Sequence, residues 1–274
     1  MRRFSLLFGI CVASTACENF LGTEFPEHAV AISPPAHFRV WWEVVESCTG
    51  RRMPFSTIGW YKAAGLTIRG EHAGGIWFEH KNRIVMSNAY IPDGFVVRHE
   101  MLHAILGMGA HPPDMFRIAC ADEVACGRAC RDSTALPDAV EIPVDRLQVK
   151  ADFFPASPSI TEHGQRAVVV VHVRNPTISN VFVPASRFAQ SGCAVGFQIA
   201  STKLDRVARR CHTFNYNPVD GRVYFRRGEN RRMVFEVDFG ISLKGLGTTG
   251  AEPVTVSAVL LDTIHHSRSV TVLP

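Results

Sequence analysis

Residues 92–111 read PDGFVVRHEMLHAILGMGAH, and the interpretation of the first half of the chain depends on them. Asp93 can cap the N-terminus of a helix, because aspartate is common at that position. Gly107 can end the helix, because glycine is common just after a helix C-terminus. Between them, apolar side chains recur at helical intervals, at Phe95, Val96, Met101, Leu102, Ile105 and Leu106. The stretch therefore predicts an amphipathic helix between Asp93 and Gly107.

Three residues of this helix have the spacing of a metal site. His99 and His103 are four residues apart, so both imidazoles project from one side of the helix and can bind one tetrahedral ion. Glu100 follows the first histidine, where a carboxylate can contact a metal-bound water without displacing it. It can then accept the proton of that water and pass it to a leaving amine. This chemistry predicts a zinc centre with Glu100 as general base and then acid.

The sequence before the helix predicts strands. Residues 76–78 and 83–86 are apolar and β-favouring, with a polar turn between them, which is typical of a hairpin. Further upstream, residues 38–49 read FRVWWEVVESCT and are expected to form a strand or a short helix with its tryptophans in the core.

The motif HEMLH at residues 99–103, on a helix that follows a hairpin, resembles the active site of the zincin superfamily of zinc metallopeptidases. The resemblance covers about residues 36–125, less than half of the chain. It implies an α+β zincin-like domain over residues 36–135, with Zn²⁺ as the cofactor and a peptide or protein as the substrate. It also implies that an edge strand of the hairpin at residues 76–86 pairs with extended substrate.

The third metal ligand is predicted to be His111. Metzincin-like enzymes continue H-E-x-x-H-x-x-G-x-x-H, whereas here Gly107 comes one place late and His111 two places late. Gly107 and Gly109 permit the positive φ values that turn a chain back after a helix, so His111 can return to the metal. The competing ligand is Glu123, twenty residues after His103, as in thermolysin-like enzymes. Arg98 is expected to be a surface charge, and Met115, although comparable to the methionine of a metzincin turn, to be a packing residue.

The second half of the chain is rich in β-favouring stretches. A valine-rich run at residues 167–173 and later β-like stretches are separated by Gly, Pro and Asn, with no helical pattern between them. About seven short strands in about 110 residues predict an all-β, immunoglobulin-like sandwich over residues 165–274. Residues 136–164 are interpreted as a linker.

The N-terminus predicts export. Residues 1–16 combine Arg2 and Arg3 with a short apolar stretch and small residues, as in a secretory signal peptide. The segment ending in Cys17 resembles a lipoprotein processing site, which implies that Cys17 is acylated and that the protein is lipid-anchored in the bacterial cell envelope. The apolar stretch is too short to span a bilayer, so contact with a membrane is expected only through that anchor.

The remaining cysteines are consistent with an oxidising compartment. Cys193 and Cys211 are expected to form one disulfide because no other cysteine lies in the C-terminal half. Four more cysteines are expected to pair among themselves, with the connectivity left open: Cys48, Cys120, Cys126 and Cys130.

Charge excludes one class of partner. The net charge of +4 falls to +2 without Arg2 and Arg3, which is too small for a nucleic-acid surface. The expectation is a secreted or lipid-anchored zinc metallopeptidase. The alternative is an envelope binding lipoprotein whose zinc site is structural or vestigial and which works through its β-sandwich.

Overall fold

The computed structural model of the protein describes residues 24–68, 70–121, 123–125, 135–155, 166–201, 207–212, 219–238 and 252–272. The predicted signal segment 1–16, Cys17, Cys126 and Cys130 lie outside these ranges, so what was predicted for them stays a prediction. Within the described ranges, no helix is long and apolar enough to cross a membrane.

The described part of the first half, up to residue 125, combines helices with short strands. In chain order these are β1 (Val30–Ala31), α1 (Ala36–Thr49), β2 (Gly59–Ala63), β3 (Leu66–Ile68), β4 (Glu71–Ala73), β5 (Gly75–Phe78), β6 (Arg83–Ser87), α2 (Gly94–Leu106) and a π-helix (Asp114–Ala119). Residues 38–49, for which a strand or a helix was expected, are helical. Their apolar side chains at Phe38, Trp41 and Val45 are three or four places apart, and all three are buried, as is Trp42.

The predicted hairpin is present and forms one end of a sheet. Its strands β5 and β6 pair antiparallel, with Trp77 opposite Ile84. The sheet has the order β1-β2-β6-β5, in which β2 and β6 run parallel and β5 is terminal. Helix α2 packs against β5 and α1, so the predicted metal-binding helix lies next to the end of the sheet.

The described part of the second half is mostly sheet. Its elements are β7 (Val140–Glu141), β8 (Gln148–Phe154), β9 (Arg166–Arg174), β10 (Val181–Pro184), α3 (Ala185–Ala189), β11 (Val195–Ser201), β12 (Val207–His212), β13 (Arg222–Phe225), β14 (Asn230–Asp238), β15 (Glu252–Leu260) and β16 (Thr263–Val272). The sheet orders are β13-β10-β7, β12-β11-β15-β16 and β14-β9-β8. The described chain is therefore a mixed α/β structure with few helices and several small sheets; an immunoglobulin-like topology stays a prediction.

The segment 136–164, predicted to be a linker, contains two of these strands. Strand β8 pairs with β9 along its length, from Gln148 opposite Arg174 to Phe154 opposite Val168. Its sequence QVKADFF places Lys150 and Asp152 among apolar residues, and this alternation was not recognised as a strand. The β-rich half therefore begins earlier than residue 165.

Strand β9 belongs to two hydrophobic cores at once. Val169 and Val171 point into the core of the second half. Val168 and Val170 point the other way and pack with α1 and α2 in the core of the first half. Successive strand residues face opposite sides of a sheet, so an uninterrupted valine run is expected where both sides are buried.

Two disulfides link described residues. Cys193 pairs with Cys211, as predicted, at a Cα–Cα distance of 5.1 Å. Cys48 pairs with Cys120 at 5.4 Å, which is one of the pairings that the sequence left open. The second bond joins the end of α1 to the residue after the π-helix.

Candidate metal centre

Helix α2 has the ends that its sequence predicts. The Asp93 side chain accepts hydrogen bonds from the backbone N–H groups of Phe95 (3.0 Å) and Val96 (3.3 Å). At the other end, Gly107 adopts φ = 70°, and its N–H donates to the His103 carbonyl at 2.9 Å. The left-handed conformation turns the chain back towards the helix.

Three histidines meet beyond this turn. The Nε2 atom of His99 lies 3.1 Å from Nε2 of His103 and 3.1 Å from Nε2 of His111. The candidate ligand atoms of the three residues all lie within 4.8 Å of one another. Helix spacing supplies the first two, and the return of the chain after Gly107 supplies the third.

The hydrogen bonds of the Nδ1 atoms show which nitrogen of each imidazole ring carries the hydrogen. The Nδ1 atoms of His99 and His103 donate to the carbonyl oxygens of Ala125 (2.6 Å) and Met108 (2.9 Å). Because a carbonyl only accepts, hydrogen must be on Nδ1, and Nε2 of the neutral ring has a lone pair.

Both rings are neutral at ordinary pH. Burial, and then the neighbouring histidines, lower the pKa of His99 to about 3. Burial lowers the pKa of His103 to about 4, and its bond to the Met108 carbonyl opposes this only in part. Lone pairs of neutral imidazoles therefore face one another, and a cation such as Zn²⁺, which favours imidazole nitrogen, fits between them.

Glu100 is buried between α2 and β5. It is 6% exposed, and the backbone N–H of Trp77 in β5 donates to its carboxylate. The close approach depends on Gly75, because a Cβ atom there would lie 2.6 Å from Glu100 Cγ. Burial raises the pKa of Glu100 to about 8, although the Trp77 N–H acts in the opposite direction. A carboxyl group in this state can exchange a proton near neutral pH.

The three imidazoles share one aromatic neighbour. The Phe116 ring centroid lies 5.1, 4.9 and 4.6 Å from those of His99, His103 and His111. Phe116 is fully buried on the π-helix, whereas Met115 is half-buried and packs against the core. Met115 was considered because of its resemblance to the methionine of a metzincin turn, whereas Phe116 has no distinctive motif around it and was not predicted.

The contacts of Gly75 and of the Trp77 N–H with Glu100 were not predicted either. The pair Gly74-Gly75 at the start of a strand was the available signal, since glycine in a strand often marks a close approach of backbone to another group.

Glu123, the alternative third ligand, lies elsewhere. Its side chain is fully buried and pairs with Arg232 of β14. It belongs to a separate group with Cys48 and Cys120, whose sulfur atoms are bonded to each other and so are not thiolates. The structure thus brings His111, and not Glu123, to His99 and His103.

The expectation that Arg98 is a surface charge is wrong. Arg98 is 1% exposed; its Nη1 lies 3.2 Å from Glu236 Oε1, and its Nε donates to the Glu123 carbonyl at 2.6 Å. Helix periodicity could not reveal this environment, because Glu236 lies 138 residues later in the chain.

Comparisons with known proteins add no assignment. No family model and no curated protein matches the chain. Among solved structures, Pseudomonas fluorescens alkylpurine DNA glycosylase AlkC, bound to DNA containing an abasic site analog, aligns at 9% identity and a TM-score of 0.30, over 47% of this chain and 31% of that one. The sporulation control protein Spo0M from Bacillus subtilis aligns at 16% identity and a TM-score of 0.26, over 47% and 50%. This chain thus spans half or less of either protein, and TM-scores this low establish no shared fold.

Proposed function

We propose that the protein is a zinc-dependent peptidase with a zincin-like first half, in which His99, His103 and His111 would hold the metal. The observation that best supports the proposal is the convergence of three histidine Nε2 atoms beside a buried glutamate. When bound, zinc would polarise a substrate carbonyl and acidify a water molecule.

Glu100 is the proton carrier in this proposal. Its carboxylate takes a proton from the attacking water and releases it to the amide nitrogen that leaves. Burial, which raises the pKa of Glu100, favours the protonated form that delivers a proton, whereas the Trp77 N–H favours and orients the carboxylate that accepts one. The exposed position of His111 leaves one side of the centre accessible to substrate.

Strand β5 is the proposed site for the substrate backbone. It is the terminal strand of its sheet, and its Trp77 N–H already contacts Glu100. An extended peptide that pairs with such an edge presents its carbonyl groups in a fixed register. The scissile bond would thereby be held next to Glu100.

Export and an anchor at Cys17 are proposed as well. The support is indirect: two disulfides, Cys48–Cys120 and Cys193–Cys211, are typical of proteins outside the reducing cytosol. For the second half, an immunoglobulin-like sandwich is proposed because antiparallel strands from several sheets share one core.

The test combines zinc analysis with a peptide-library digest, comparing the purified protein with Glu100→Gln and with Glu27→Gln, which alters an exposed glutamate outside the 76–86 hairpin. We expect about one zinc ion per chain in all three proteins. Glu100→Gln should reduce cleavage by about 10²–10⁴-fold, because it removes the proton carrier. Glu27→Gln should cleave like wild type.

Two outcomes contradict the proposal in different ways. If wild type binds zinc but cleaves nothing that Glu100→Gln spares, the peptidase assignment fails and the binding lipoprotein with a structural zinc site is favoured. If no zinc binds at neutral pH, the metal centre itself is wrong.

A further inference from the structure

Strand β14 of the second half turns one face towards the metal-binding half of the molecule. Val234 packs against the core that contains α1 and α2. Arg232 and Glu236 lie two places on either side, so they share this face. Both side chains form ion pairs with residues of the first half.

Arg232 neutralises a carboxylate that has no access to solvent. Its Nε pairs with Glu123 Oε1, and Glu123 is fully buried. A buried carboxylate without its partner is strongly destabilised, so the position of Glu123 depends on Arg232. The Arg232 side chain is itself fixed, because Nη2 donates to the Ser47 hydroxyl of α1 at 2.7 Å.

Glu236 also helps to hold Glu123 in place, through Arg98. The guanidinium group of Arg98 contacts Glu236 with Nη1 and the Glu123 carbonyl with Nε. The arrangement needs Gly94, because a Cβ atom there would lie 2.7 Å from Arg98 Nη1 and would overlap the Glu236 carboxylate. Side chain and backbone of Glu123 are thus both held by pairs that involve β14.

Two residues after Glu123, the chain reaches a metal ligand. The Ala125 N–H donates to the Phe95 carbonyl in the first turn of α2 at 2.8 Å. The Ala125 carbonyl accepts the Nδ1 hydrogen of His99. This bond sets the orientation of the His99 ring and leaves the Nε2 lone pair facing the other two histidines.

We propose that Arg232 and Glu236 are positioning residues for the metal centre: they hold residues 123–125, whose Ala125 carbonyl orients His99. The β-rich half is then an integral part of the metal-binding unit. The inference depends on the zinc site proposed above and extends it to residues more than 120 positions further along the chain.

The test is zinc affinity, measured on the full chain at pH 7.5 by competition with a chromophoric chelator. We expect Arg232→Met to weaken zinc binding by about 10–100-fold, the effect typical of losing a partner behind a metal ligand. Arg232→Lys, which keeps a charge next to Glu123, should recover part of the loss. Glu236→Gln should weaken binding in the same direction, and it provides the test if Arg232→Met does not fold.

Arg231→Met is the matched control. Arg231 is the neighbouring residue of β14, but its Nε pairs with Glu229 at 2.8 Å within the second half. Zinc affinity should therefore stay within about twofold of wild type, even if stability falls. Cobalt substitution gives a second readout: Arg232→Met should alter the Co²⁺ absorption bands, whereas Arg231→Met should not.

The outcomes separate this inference from the proposed function. Zinc affinities of Arg232→Met and Glu236→Gln within twofold of wild type overturn the positioning role and leave the zinc site intact. An equal loss in Arg231→Met also overturns it, because the effect would then reflect general destabilisation of β14. A wild-type chain that binds no zinc overturns the proposed metal centre, and this inference with it.

Discussion

Gly75 sets how closely strand β5 approaches the Glu100 side chain. In Gly75→Ala, the new Cβ would lie 2.6 Å from Glu100 Cγ and 2.9 Å from Met86 Sδ, so the carboxylate must move. We expect a loss of about 1–3 kcal/mol in the free energy of unfolding, measured with urea. Any peptidase activity should fall at least tenfold, while zinc content stays unchanged.

The control for this prediction is Gly65→Ala, because no atom lies within 4 Å of a Cβ placed there. If the two variants have the same stability, Gly75 does not limit the packing of Glu100. Spacing on one helix was enough to select His99 and His103, whereas the need for glycine at position 75 arises from a side chain 25 residues later.

Strand β9 is buried on both faces, so substitutions at two adjacent residues of this strand should both destabilise the protein. Val169 and Val170 are both fully buried, one in each core. We expect Val169→Ala and Val170→Ala each to lower the free energy of unfolding by about 2 kcal/mol, since each removes two buried methyl groups. Val140→Ala, at an exposed position of β7, should change it by less than about 0.5 kcal/mol.

Urea unfolding of the three variants checks this prediction. A large effect of only one of the two β9 substitutions would mean that one face of the strand is not packed in solution. The sequence predicted only part of this burial. The uninterrupted valine run indicated a buried strand, but it could not indicate that one of the two covering layers is α1 of the other half.

The whole molecule should lose stability in acid, because histidines are buried neutral in both halves. In the second half, burial lowers the pKa of His172, assisted by Arg232 and Lys150 and opposed by Asp152. The neutral ring donates from Nε2 to Asp152 at 2.8 Å and accepts from Asn230 at Nδ1. Protonation would require loss of the Asn230 bond.

The direction of this pH dependence follows from the number of protons that the folded and the unfolded state bind. The folded-state pKa of His172 lies below 6.5, its ordinary value, so below that pH the unfolded chain binds more protons. The stability is present above about pH 6.5 and is lost as the pH falls further. The lowered pKa values of His99 and His103 act in the same direction in metal-free protein, whereas the raised pKa of Glu100 opposes them, because there the folded state binds the extra proton. Asp152, whose pKa is also lowered, adds a further loss below about pH 4.

Urea unfolding in the presence of a chelator, at pH 7.5 and pH 5.5, measures this dependence. We expect a smaller unfolding free energy at pH 5.5, and a weaker pH dependence in His172→Gln than in wild type. His28→Gln, at an exposed position, should keep the wild-type dependence. The same pH dependence in His172→Gln as in wild type would contradict the burial of His172 as a neutral ring.

The features that could be predicted from the sequence are those that depend on neighbours close along the chain. These are the caps of α2, the shared face of His99 and His103, the turn that returns His111, the β5–β6 hairpin and the Cys193–Cys211 pair. Each requires only local backbone geometry or a nearby partner, so spacing and residue type were sufficient.

The surroundings of these residues depend on tertiary packing. Phe116 beneath the three imidazoles, the Ala125 carbonyl behind His99 and the Arg232–Glu123 pair all join segments that no periodicity relates. The same holds for Arg98, which was expected to be a surface charge but is buried and pairs with Glu236 of β14. Such contacts depend on how separate elements pack, because packing brings together side chains whose distance along the chain holds no information about their distance in space.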